Sequence, residues 1–273
     1  MLTPIHEIFS ATGVLPSFTC YNFEQVAGVL SASELSGTPV CILISEKAFT
    51  GRYGPRFTKM TIALAQTASV PIAVQLDHTG DLHLIEAALD FGVSAIMADG
   101  SHLPFEDNAD LVRRACKIAR QYGASVEAEL GHIPGNEDIA HSHLSQEMTD
   151  VDSAVRFATE TGADLLAVAI GNVHGRYKSQ PTLNIDLLSA LTERVSVPLS
   201  LHGTSGIPND QILCALQHGI RKFNINTQLR EIYFASAQQQ FANTNDTVNL
   251  LVAVDRLADA TERFVTLLLA AIH

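Results

Sequence analysis

The sequence predicts an α/β fold of the (β/α)8 barrel type, the TIM barrel, with a C-terminal helical extension. Strand-like runs alternate with helix-like runs from residue 14 onwards, and eight such units follow one another. Their strands are apolar almost throughout, which is typical of a parallel sheet covered on both faces. Eight units within 273 residues fit a closed barrel better than an open, doubly wound sheet.

Hydrophobic periodicity gives the order of the elements. The predicted strands are residues 14–20, 39–45, 72–76, 94–98, 125–130, 165–170, 198–201 and 222–225. The predicted helices are residues 24–35, 55–68, 82–91, 106–122, 151–161, 185–194 and 210–218, with C-terminal helices over about 228–272. A long polar stretch at about 131–149 interrupts the rhythm, and we expect a mobile active-site loop there. Residues 1–273 are expected to form one domain.

Charge and composition exclude several classes of function. The net charge is −12 and lysine and arginine form no cluster, so no nucleic-acid partner is expected. No run of 18 residues is free of polar side chains, so no membrane span is expected. The four cysteines form no Cys-x-x-Cys pair, and the first residues lack the pattern of a secretory signal. We therefore expect reduced thiols and a cytoplasmic location.

Polar side chains stand where the strands end. Asp77 and His78 follow the third strand, and His174 and His202 each precede a glycine after a later strand. The C-terminal ends of barrel strands share one mouth, so these side chains are expected to converge there. An Asp-His pair taken alone is more often a plain polar strand end. Other polar residues at or just beyond strand ends are Asp99, Glu129 and Asn224.

Three histidines at strand ends suit a catalytic zinc ion, which takes three protein ligands and keeps one open position. His141 and His143 also have the spacing of a metal pair, although a mobile loop is a poor place for a fixed ligand. The small polar run from Gly203 to Gly206 precedes a helix, and its backbone N–H groups are suited to a phosphate. A plain tight turn explains the same run equally well.

Six short motifs follow one another along the chain. They are Asp77-His78, Asp99-Gly-Ser-His-Leu-Pro-Phe-Glu, Glu127-Ala-Glu-Leu-Gly, Ala169-Ile-Gly-Asn-Val-His-Gly-x-Tyr-Lys, Leu201-His-Gly-Thr-Ser-Gly-Ile-Pro and Asn224-Ile-Asn-Thr. In this order the chain resembles the class II ketose-bisphosphate aldolases, the zinc-dependent fructose- and tagatose-bisphosphate aldolases. The resemblance runs from about residue 10 to residue 235 and is highly specific, because six motifs are in register.

The resemblance implies a metal centre. His78, His174 and His202 match the zinc ligands of the family. Asp99 and Glu129 resemble the acidic residues that form a secondary metal position in some members. A monovalent cation, Na⁺ or K⁺, near the substrate phosphate is usual in the family.

Catalytic and substrate-binding residues are implied in the same way. Asp77 matches the residue that handles the proton of the hydroxyl beside the cleaved bond, and Glu137 the loop residue that exchanges a proton at the ketone-derived carbon. Zinc chemistry needs no Schiff-base lysine, and Lys178 is the one lysine of five that lies in a motif. Asn224 is counted with both the catalytic and the binding residues. The implied cradle for dihydroxyacetone phosphate is Gly175, Lys178, Gly203, Ser205, Asn224 and Thr227, and Thr204 and Asn226 are counted as further substrate-binding residues.

Three positions depart from the family pattern. Thr204 adds a β-branched side chain where Gly or Ala is common. Asn226 stands where fructose-type members usually have Asp and tagatose-type members Ala, so neither sugar is favoured. Thr19 replaces an Asn, and the region before the last helix lacks the basic residues that help to hold a second phosphate. The possible substitutes for those bases are Arg52, Arg56 and Arg230, each equally well explained as a surface or capping charge.

The expected function is therefore zinc-dependent, reversible aldol cleavage of a ketose 1,6-bisphosphate or related ketose 1-phosphate. The expected partners are the phosphorylated sugar and further copies of the chain in a homodimer or homotetramer. One alternative is a non-catalytic aldolase-like subunit or sugar-phosphate-binding protein. A second is a barrel-type zinc hydrolase, which usually needs His-x-His on the first strand, and the sequence from Ser17 to Thr19 offers none.

Overall fold

Eight parallel strands close into a barrel in the order of the sequence, with the last strand paired to the first. The computed structural model describes residues 1–11, 13–131, 133, 148–175, 177, 181–242 and 249–272. The strands are β1 (Leu15–Thr19), β2 (Val40–Ser45), β3 (Ile72–Thr79), β4 (Ala95–Ala98), β5 (Ser125–Leu130), β6 (Leu165–Val168), β7 (Leu199–Leu201) and β8 (Ile220–Ile225). The predicted TIM barrel is confirmed.

One helix precedes the first strand, and the others lie between consecutive strands and after the last one. They are α1 (Ile5–Ala11), α2 (Phe23–Ser36), α3 (Glu46–Thr50), α4 (Gly54–Thr67), α5 (Leu82–Phe91), α6 (Phe105–Ala119), α7 (Val151–Thr161), α8 (Ile185–Arg194), α9 (Asn209–Gln217), α10 (Thr227–Phe241) and α11 (Leu250–Ala271). Short polar side chains cap many of these helices by accepting a backbone N–H of the first turn. Those caps are Asn22, Ser45, Asp81, Asp150, Asn184 and Asn249.

Most predicted boundaries agree with the structure to within a few residues. Two short helices, α1 and α3, were not predicted, because 7 and 5 residues are too few to display helical periodicity. β3 continues to Thr79 rather than ending at Leu76. β6 ends at Val168 rather than Ile170, because the N–H of Ala169 donates to the Thr149 hydroxyl at 2.8 Å.

Alternate residues of each strand face opposite sides of the barrel wall. Outward side chains such as Phe18, Ile42 and Val74 pack under the helices in the main core. Inward side chains form a second apolar cluster, which α1 joins through Ile5 and Ile8. Its strand members are Leu15, Cys41, Leu43, Ala73, Ala95 and Leu165, and all but Leu43 are the first or second residue of their strands. The base of the barrel is therefore closed, and only the opposite mouth is left for polar groups.

The C-terminal extension packs on the outside of this barrel. α11 lies against α2 and α10, and its apolar positions include the buried Ala253, Leu257 and Val265. No helix within the described ranges combines the length and the apolar character that crossing a bilayer requires. Most of the predicted loop, residues 132 and 134–147, lies outside the described residues.

Candidate active site

The upper half of the barrel interior is polar. Inward positions of β3, β5 and β8 carry one polar layer and, two residues later, a second layer nearer the mouth. The lower layer is Gln75, Glu127 and Lys222, and the upper layer is Asp77, Glu129 and Asn224. All six side chains are buried. Buried polar groups require partners, so their contacts decide what the site can do.

Asp77 and His78 reach the same mouth because β3 is irregular at this point. Neighbouring residues of a regular strand point to opposite faces of the sheet. Here β3 places two residues, Asp77 and His78, against the single residue Met97 of β4, which is a β-bulge. His78 also has a φ of 50°, in the left-handed region that strains a residue with a Cβ. The bulge thus brings an acid and an imidazole side by side.

The imidazole of His78 is oriented by Asp99. Its Nδ1 lies 2.7 Å from Asp99 Oδ2, and the N–H of Ser101 donates to Oδ1 at 3.0 Å. Burial alone would raise the pKa of Asp99, but the hydrogen bond and charge of His78 hold this pKa below its ordinary value. An ionised carboxylate only accepts hydrogen bonds. Nδ1 of His78 therefore carries the proton, and Nε2 keeps a lone pair.

The imidazole of His202 is oriented by Glu127 in the layer below. His202 Nε2 lies 2.9 Å from Glu127 Oε1, and Lys222 Nζ lies 2.8 Å from Oε2. Burial alone would raise the pKa of Glu127, but Lys222 and then His202 hold this pKa well below its ordinary value. His202 Nε2 therefore donates, and Nδ1 keeps a lone pair. Burial, opposed by Glu127, lowers the pKa of His202 to about 4, so the ring is neutral at pH 7.

Four donor atoms converge at the mouth, one each from His78, Glu129, His174 and His202, all within 4.8 Å of one another. The lone-pair nitrogens of His78 and His202 lie 3.0 Å apart. Glu129 Oε2 is buried and accepts no hydrogen bond from the described part of the chain. Two lone pairs and a carboxylate oxygen repel one another unless a cation lies among them. The donor set thus fits a metal ion held by three imidazoles and a carboxylate.

The structure gives the two acidic residues of the implied secondary position different surroundings. Burial and then the charge of Asp99 raise the pKa of Glu129 well above its ordinary value, and a nearby cation would favour its ionised form. Glu129 belongs to the group of four donors, whereas Asp99 lies behind His78. A carboxylate that accepts a hydrogen bond from the far nitrogen of a metal-binding histidine fixes the imidazole ring and raises its basicity as a ligand. Ligand roles for both residues remain predictions.

Asp77 lies beside this donor group with no exposure to solvent. Its Oδ1 accepts a hydrogen bond from Gln75 Nε2 at 3.1 Å, and the same amide donates to Glu127 Oε2 at 2.8 Å. The side chain is therefore held by the layer beneath it. A fixed carboxylate next to a metal site is suited to taking a proton from a bound hydroxyl.

A turn formed by Gly203, Thr204 and Ser205 lies against the start of α10. Gly203 has a φ of 62°, and a Cβ there would lie 2.1 Å from the Val173 carbonyl oxygen, so glycine is required. The Thr204 hydroxyl donates to the Asn224 backbone carbonyl at 2.6 Å. Ser205 Oγ accepts a hydrogen bond from the backbone N–H of Gln228, in the first turn of α10, at 3.3 Å. The β-branched Thr204 thus bonds to the backbone. Free backbone N–H groups beside a helix N-terminus are suited to an anion.

Two tyrosines bridge the loops of the mouth. The Tyr177 hydroxyl donates to the Gly203 carbonyl at 2.9 Å and accepts from the Val173 N–H at 3.0 Å, so it ties together two loops. The Tyr21 hydroxyl donates to Asn226 Oδ1 at 3.1 Å. The amide of Asn226, which the resemblance places near the sugar hydroxyls, is thus oriented by the loop that follows β1.

Not every predicted site residue falls within the described ranges. Glu137 and Lys178 lie outside them, as do His141 and His143. The predicted cradle residues Gly175 and Thr227 are buried, in the loop after β6 and at the start of α10. Among the candidates for a second phosphate, Arg52 and Arg56 are exposed and Arg230 lies half-buried on α10.

The sequence-based prediction gave no role to Gln75, Glu127 or Lys222. Glu127 was noted only as part of a motif, and Lys222 lies just outside the nearest one. A signal was present, because each of the three precedes a predicted site residue by two positions on a strand. Residues at i and i+2 share a face, so polar pairs on otherwise apolar strands indicate a polar column inside the barrel.

A closed (β/α)8 barrel with a metal-donor group and a buried acid at its C-terminal mouth has the arrangement of a metal-dependent barrel enzyme. The family model of class II fructose-bisphosphate aldolase matches residues 8–271 of the chain. The chain belongs to the class II fructose-bisphosphate aldolase family and is a class II aldolase, a carbon–carbon lyase. The resemblance drawn from the six motifs is confirmed. The family is zinc-dependent in general.

Relatives with known names agree with this assignment. The protein YdjI of Escherichia coli strain K12 is 39% identical over 213 residues, which cover 78% of this chain and 76% of YdjI. The D-tagatose-1,6-bisphosphate aldolase subunit GatY of Klebsiella oxytoca is 35% identical over 238 residues, covering 86% and 83% of the two chains.

Solved structures show the same architecture. The crystal structure of the YdjI aldolase from Escherichia coli K12 has a TM-score of 0.87 at 31% identity. The superposition covers 100% of this chain and 97% of the YdjI chain. The fructose-bisphosphate aldolase of Campylobacter jejuni has a TM-score of 0.79 at 19% identity, covering 98% of this chain and 93% of its own, and supports the fold alone.

Proposed function

We propose that the protein catalyses the zinc-dependent, reversible aldol cleavage of a ketose 1,6-bisphosphate or a related ketose 1-phosphate. The products are dihydroxyacetone phosphate and an aldehyde. One observation carries the proposal: three imidazoles and Glu129 converge at the barrel mouth, with Asp77 buried next to His78. Imidazoles with one carboxylate are a donor set that suits zinc. We infer that His78, His174 and His202 hold the zinc ion and leave one position open for the substrate, with Glu129 close by at the secondary position.

A bound zinc ion would supply a Lewis acid for the negative charge that develops on the substrate oxygens. Asp77 takes the proton of the hydroxyl on the carbon that becomes the aldehyde, the neighbouring carbon–carbon bond breaks, and its electrons pass to the ketone-derived half. Gln75 keeps Asp77 aimed at that hydroxyl through the 3.1 Å hydrogen bond. Return of a proton to the ketone-derived carbon is the predicted task of Glu137, outside the described residues.

The phosphate of the ketone half is proposed to bind at the turn of Gly203, Thr204 and Ser205. Three features support this: glycine lets the backbone approach closely, the start of α10 favours an anion, and Tyr177 braces the turn. Lys178 and Gly175 are proposed to complete the cradle, with Na⁺ or K⁺ close to the phosphate.

The aldehyde half is proposed to lie over the neighbouring ends of β1 and β8. The Thr19 hydroxyl is buried there and makes no hydrogen bond within the described ranges, so it can bind a substrate hydroxyl. Asn226, oriented by Tyr21, offers an amide to the same half. Neither residue follows the fructose or the tagatose pattern.

A substrate panel tests the proposal. Fructose and tagatose 1,6-bisphosphates and their 1-phosphates are offered to the purified protein, and dihydroxyacetone phosphate is measured with a coupled dehydrogenase. Cleavage should disappear after chelation, return with zinc, and survive borohydride, which traps Schiff bases. Full activity in the chelated protein would contradict the metal assignment.

A non-catalytic subunit is the second candidate, favoured by the fact that the relative GatY is named as a subunit of an aldolase. The two candidates differ in turnover by the isolated chain. A zinc-loaded chain that cleaves none of the panel would favour the subunit, whereas turnover in the absence of any other protein would exclude it.

We also propose a cytoplasmic homodimer or homotetramer with no nucleic-acid or membrane partner. Cys20, Cys41 and Cys116 are buried and unpaired, as expected of a reducing compartment. Exposed apolar side chains on α10 and α11 provide a surface for a second copy. They are Phe234, Phe241, Leu250, Leu251 and Leu267. Light scattering on a size-exclusion column gives the number of copies.

A further inference from the structure

A buried ion pair lies directly beneath the metal-donor group. The Lys222 ammonium and the Glu127 carboxylate are fully buried, with Nζ and Oε2 separated by 2.8 Å. Nζ also donates to Asn224 Oδ1 at 2.6 Å, and Glu127 Oε2 accepts a second hydrogen bond from Gln75 at 2.8 Å. The lysine thus contacts one residue of each polar layer without reaching the donor atoms themselves.

Stability alone does not account for this pair. Taking two charges out of water costs several kcal/mol per ion, and well-packed apolar side chains are often at least as stable. The same barrel already fills its base with an apolar layer that includes Leu15, Leu43 and Leu165. Lys222 pairs in register with Leu15 on β1, so an apolar residue is compatible with that neighbourhood. We therefore look for the role of the Lys222–Glu127 pair in its contacts with the residues of the site above it.

The contacts of Glu127 indicate that purpose. Its Oε1 receives the Nε2 proton of His202 at 2.9 Å, and this hydrogen bond leaves Nδ1 directed at the donor group. Lys222 and Gln75 both hold the other oxygen, so the carboxylate cannot rotate without losing two hydrogen bonds. Asn224, whose oxygen accepts from Lys222, has its Nδ2 3.2 Å from His202 Nε2, and because both nitrogens are donors, Glu127 alone sets the tautomer. The lysine thus supports the carboxylate that accepts the proton of His202.

We propose that Lys222 is a positioning residue that, through Glu127, fixes the orientation and tautomer in which His202 serves as a metal ligand. The proposal rests on the zinc site of the proposed function and adds a residue that acts on it from below. Partners behind a metal-bound histidine typically change metal affinity by about 10- to 100-fold when they are removed. Lys222 would act on Glu127, the partner of His202, rather than on His202 directly.

The test measures metal binding rather than turnover. Zinc affinity is determined by competition with a chromophoric chelator, and the visible absorption of the Co²⁺-loaded protein reports the ligand geometry. Lys222→Met should weaken zinc binding by about 10-fold or more and alter the cobalt bands. Ser17→Ala is the matched control, because Ser17 is a buried polar residue on β1 whose hydroxyl donates to the Leu15 carbonyl and whose other side-chain contact is Cys41, away from His202 and Glu127. The control should keep wild-type affinity and spectrum.

A second variant covers the case in which Lys222→Met does not fold with Glu127 left unpaired. The double variant Glu127→Gln, Lys222→Met removes both charges of the pair, and its glutamine can donate to His202 and so favour the wrong tautomer. It should fold and bind zinc at least 10-fold more weakly than Ser17→Ala. Wild-type affinity and cobalt bands in either folded variant would overturn the positioning role.

The two proposals fail in different ways. Wild-type protein that binds no zinc would contradict the proposed function, and with it this inference. Wild-type protein that binds zinc and cleaves a ketose phosphate, together with a Lys222→Met variant of unchanged metal affinity, would overturn the inference alone.

Discussion

Nε2 of His78 and Nδ1 of His202 lie 3.0 Å apart, although the two residues are separated by 124 positions in the sequence. Each ring is turned towards the other by a carboxylate behind it, Asp99 for His78 and Glu127 for His202. Each carboxylate accepts the proton of the ring nitrogen that faces it, Nδ1 of His78 and Nε2 of His202. The two nitrogens that face each other therefore both carry lone pairs. The protein thus builds a repulsive pair that a bound cation relieves.

Metal binding is therefore expected to stabilise the fold. At a free zinc concentration of about 100 times Kd, linkage gives about 2.7 kcal/mol, provided that the unfolded chain binds no metal. For a chain of this size that corresponds to a rise in Tm of about 5–10 °C. Thermal unfolding followed by circular dichroism, with zinc and with a chelator, measures the difference.

His174→Ala serves as the control for that experiment, because it removes one donor and leaves the facing pair in place. Its Tm should respond to zinc much less than that of the wild type, and it should retain less than one zinc per chain in elemental analysis. Equal Tm values for the wild type with and without zinc would argue against a metal bound at this mouth.

Asp77→Asn is expected to separate proton transfer from metal binding. The substitution preserves volume, and the asparagine Oδ1 can still accept from Gln75. A general base contributes about 10²- to 10⁴-fold to rate, so kcat should fall by about that factor while bound zinc stays at the wild-type level. Steady-state kinetics and elemental analysis provide the two measurements.

The matched control is Asp81→Asn at the start of α5, where asparagine caps a helix as well as aspartate does. It should leave kcat unchanged. Asp77→Asn with wild-type kcat would remove this carboxylate from the mechanism.

Burial is expected to protect three of the four thiols from modification even in alkaline solution. It raises the pKa of Cys41 and of Cys116 to about 12 and raises that of Cys20 as well. At pH 9 about a thousandth of such a thiol is ionised, and the thiolate is the reactive form. A chromogenic disulfide reagent should therefore titrate one rapid thiol per folded chain, Cys214 on α9, which is only half-buried.

All four thiols should react after denaturation, and Cys214→Ser should abolish the rapid phase in the folded protein. Two or more rapid thiols at pH 9 would mean that the core around Cys20, Cys41 or Cys116 opens more readily than its burial indicates.

Much of the barrel could be predicted from periodicity because its strands are uniformly apolar and its helices carry short polar caps. The convergence of His78, His174 and His202 also followed from sequence, since strand ends of one barrel meet at one mouth. These inferences depend on local patterns and on a closure rule that holds for every barrel of this type.

What the sequence could not provide depends on single backbone angles and on pairing across the barrel. Strict alternation would have turned His78 away from Asp77, and only the bulge with its positive φ brings them together. Likewise, a charged Lys222 on a short strand has no visible partner until β5 and β8 approach each other across the barrel. The short helices α1 and α3 exist through packing and capping rather than through periodicity.

Gly203→Ala is expected to damage the proposed phosphate site, and Gly37→Ala separates that effect from ordinary strain. Gly37 ends α2 with a φ of 68°, close to the 62° of Gly203, but a Cβ there meets nothing within 4 Å. Alanine in the left-handed region of backbone angles costs about 1–2 kcal/mol. Gly37→Ala should therefore lose no more than that in free energy of unfolding, measured in urea, and its kinetics should be unchanged.

At Gly203 the added Cβ would also lie 2.1 Å from the Val173 carbonyl oxygen, so the turn and the loop that carries His174 must separate. We expect a larger loss of stability and a rise in KM for the ketose phosphate of about 10-fold or more, since a charge-assisted hydrogen bond contributes about 1.5–3 kcal/mol. Equal stability of the two variants, with wild-type KM for Gly203→Ala, would show that this turn does not bind the phosphate.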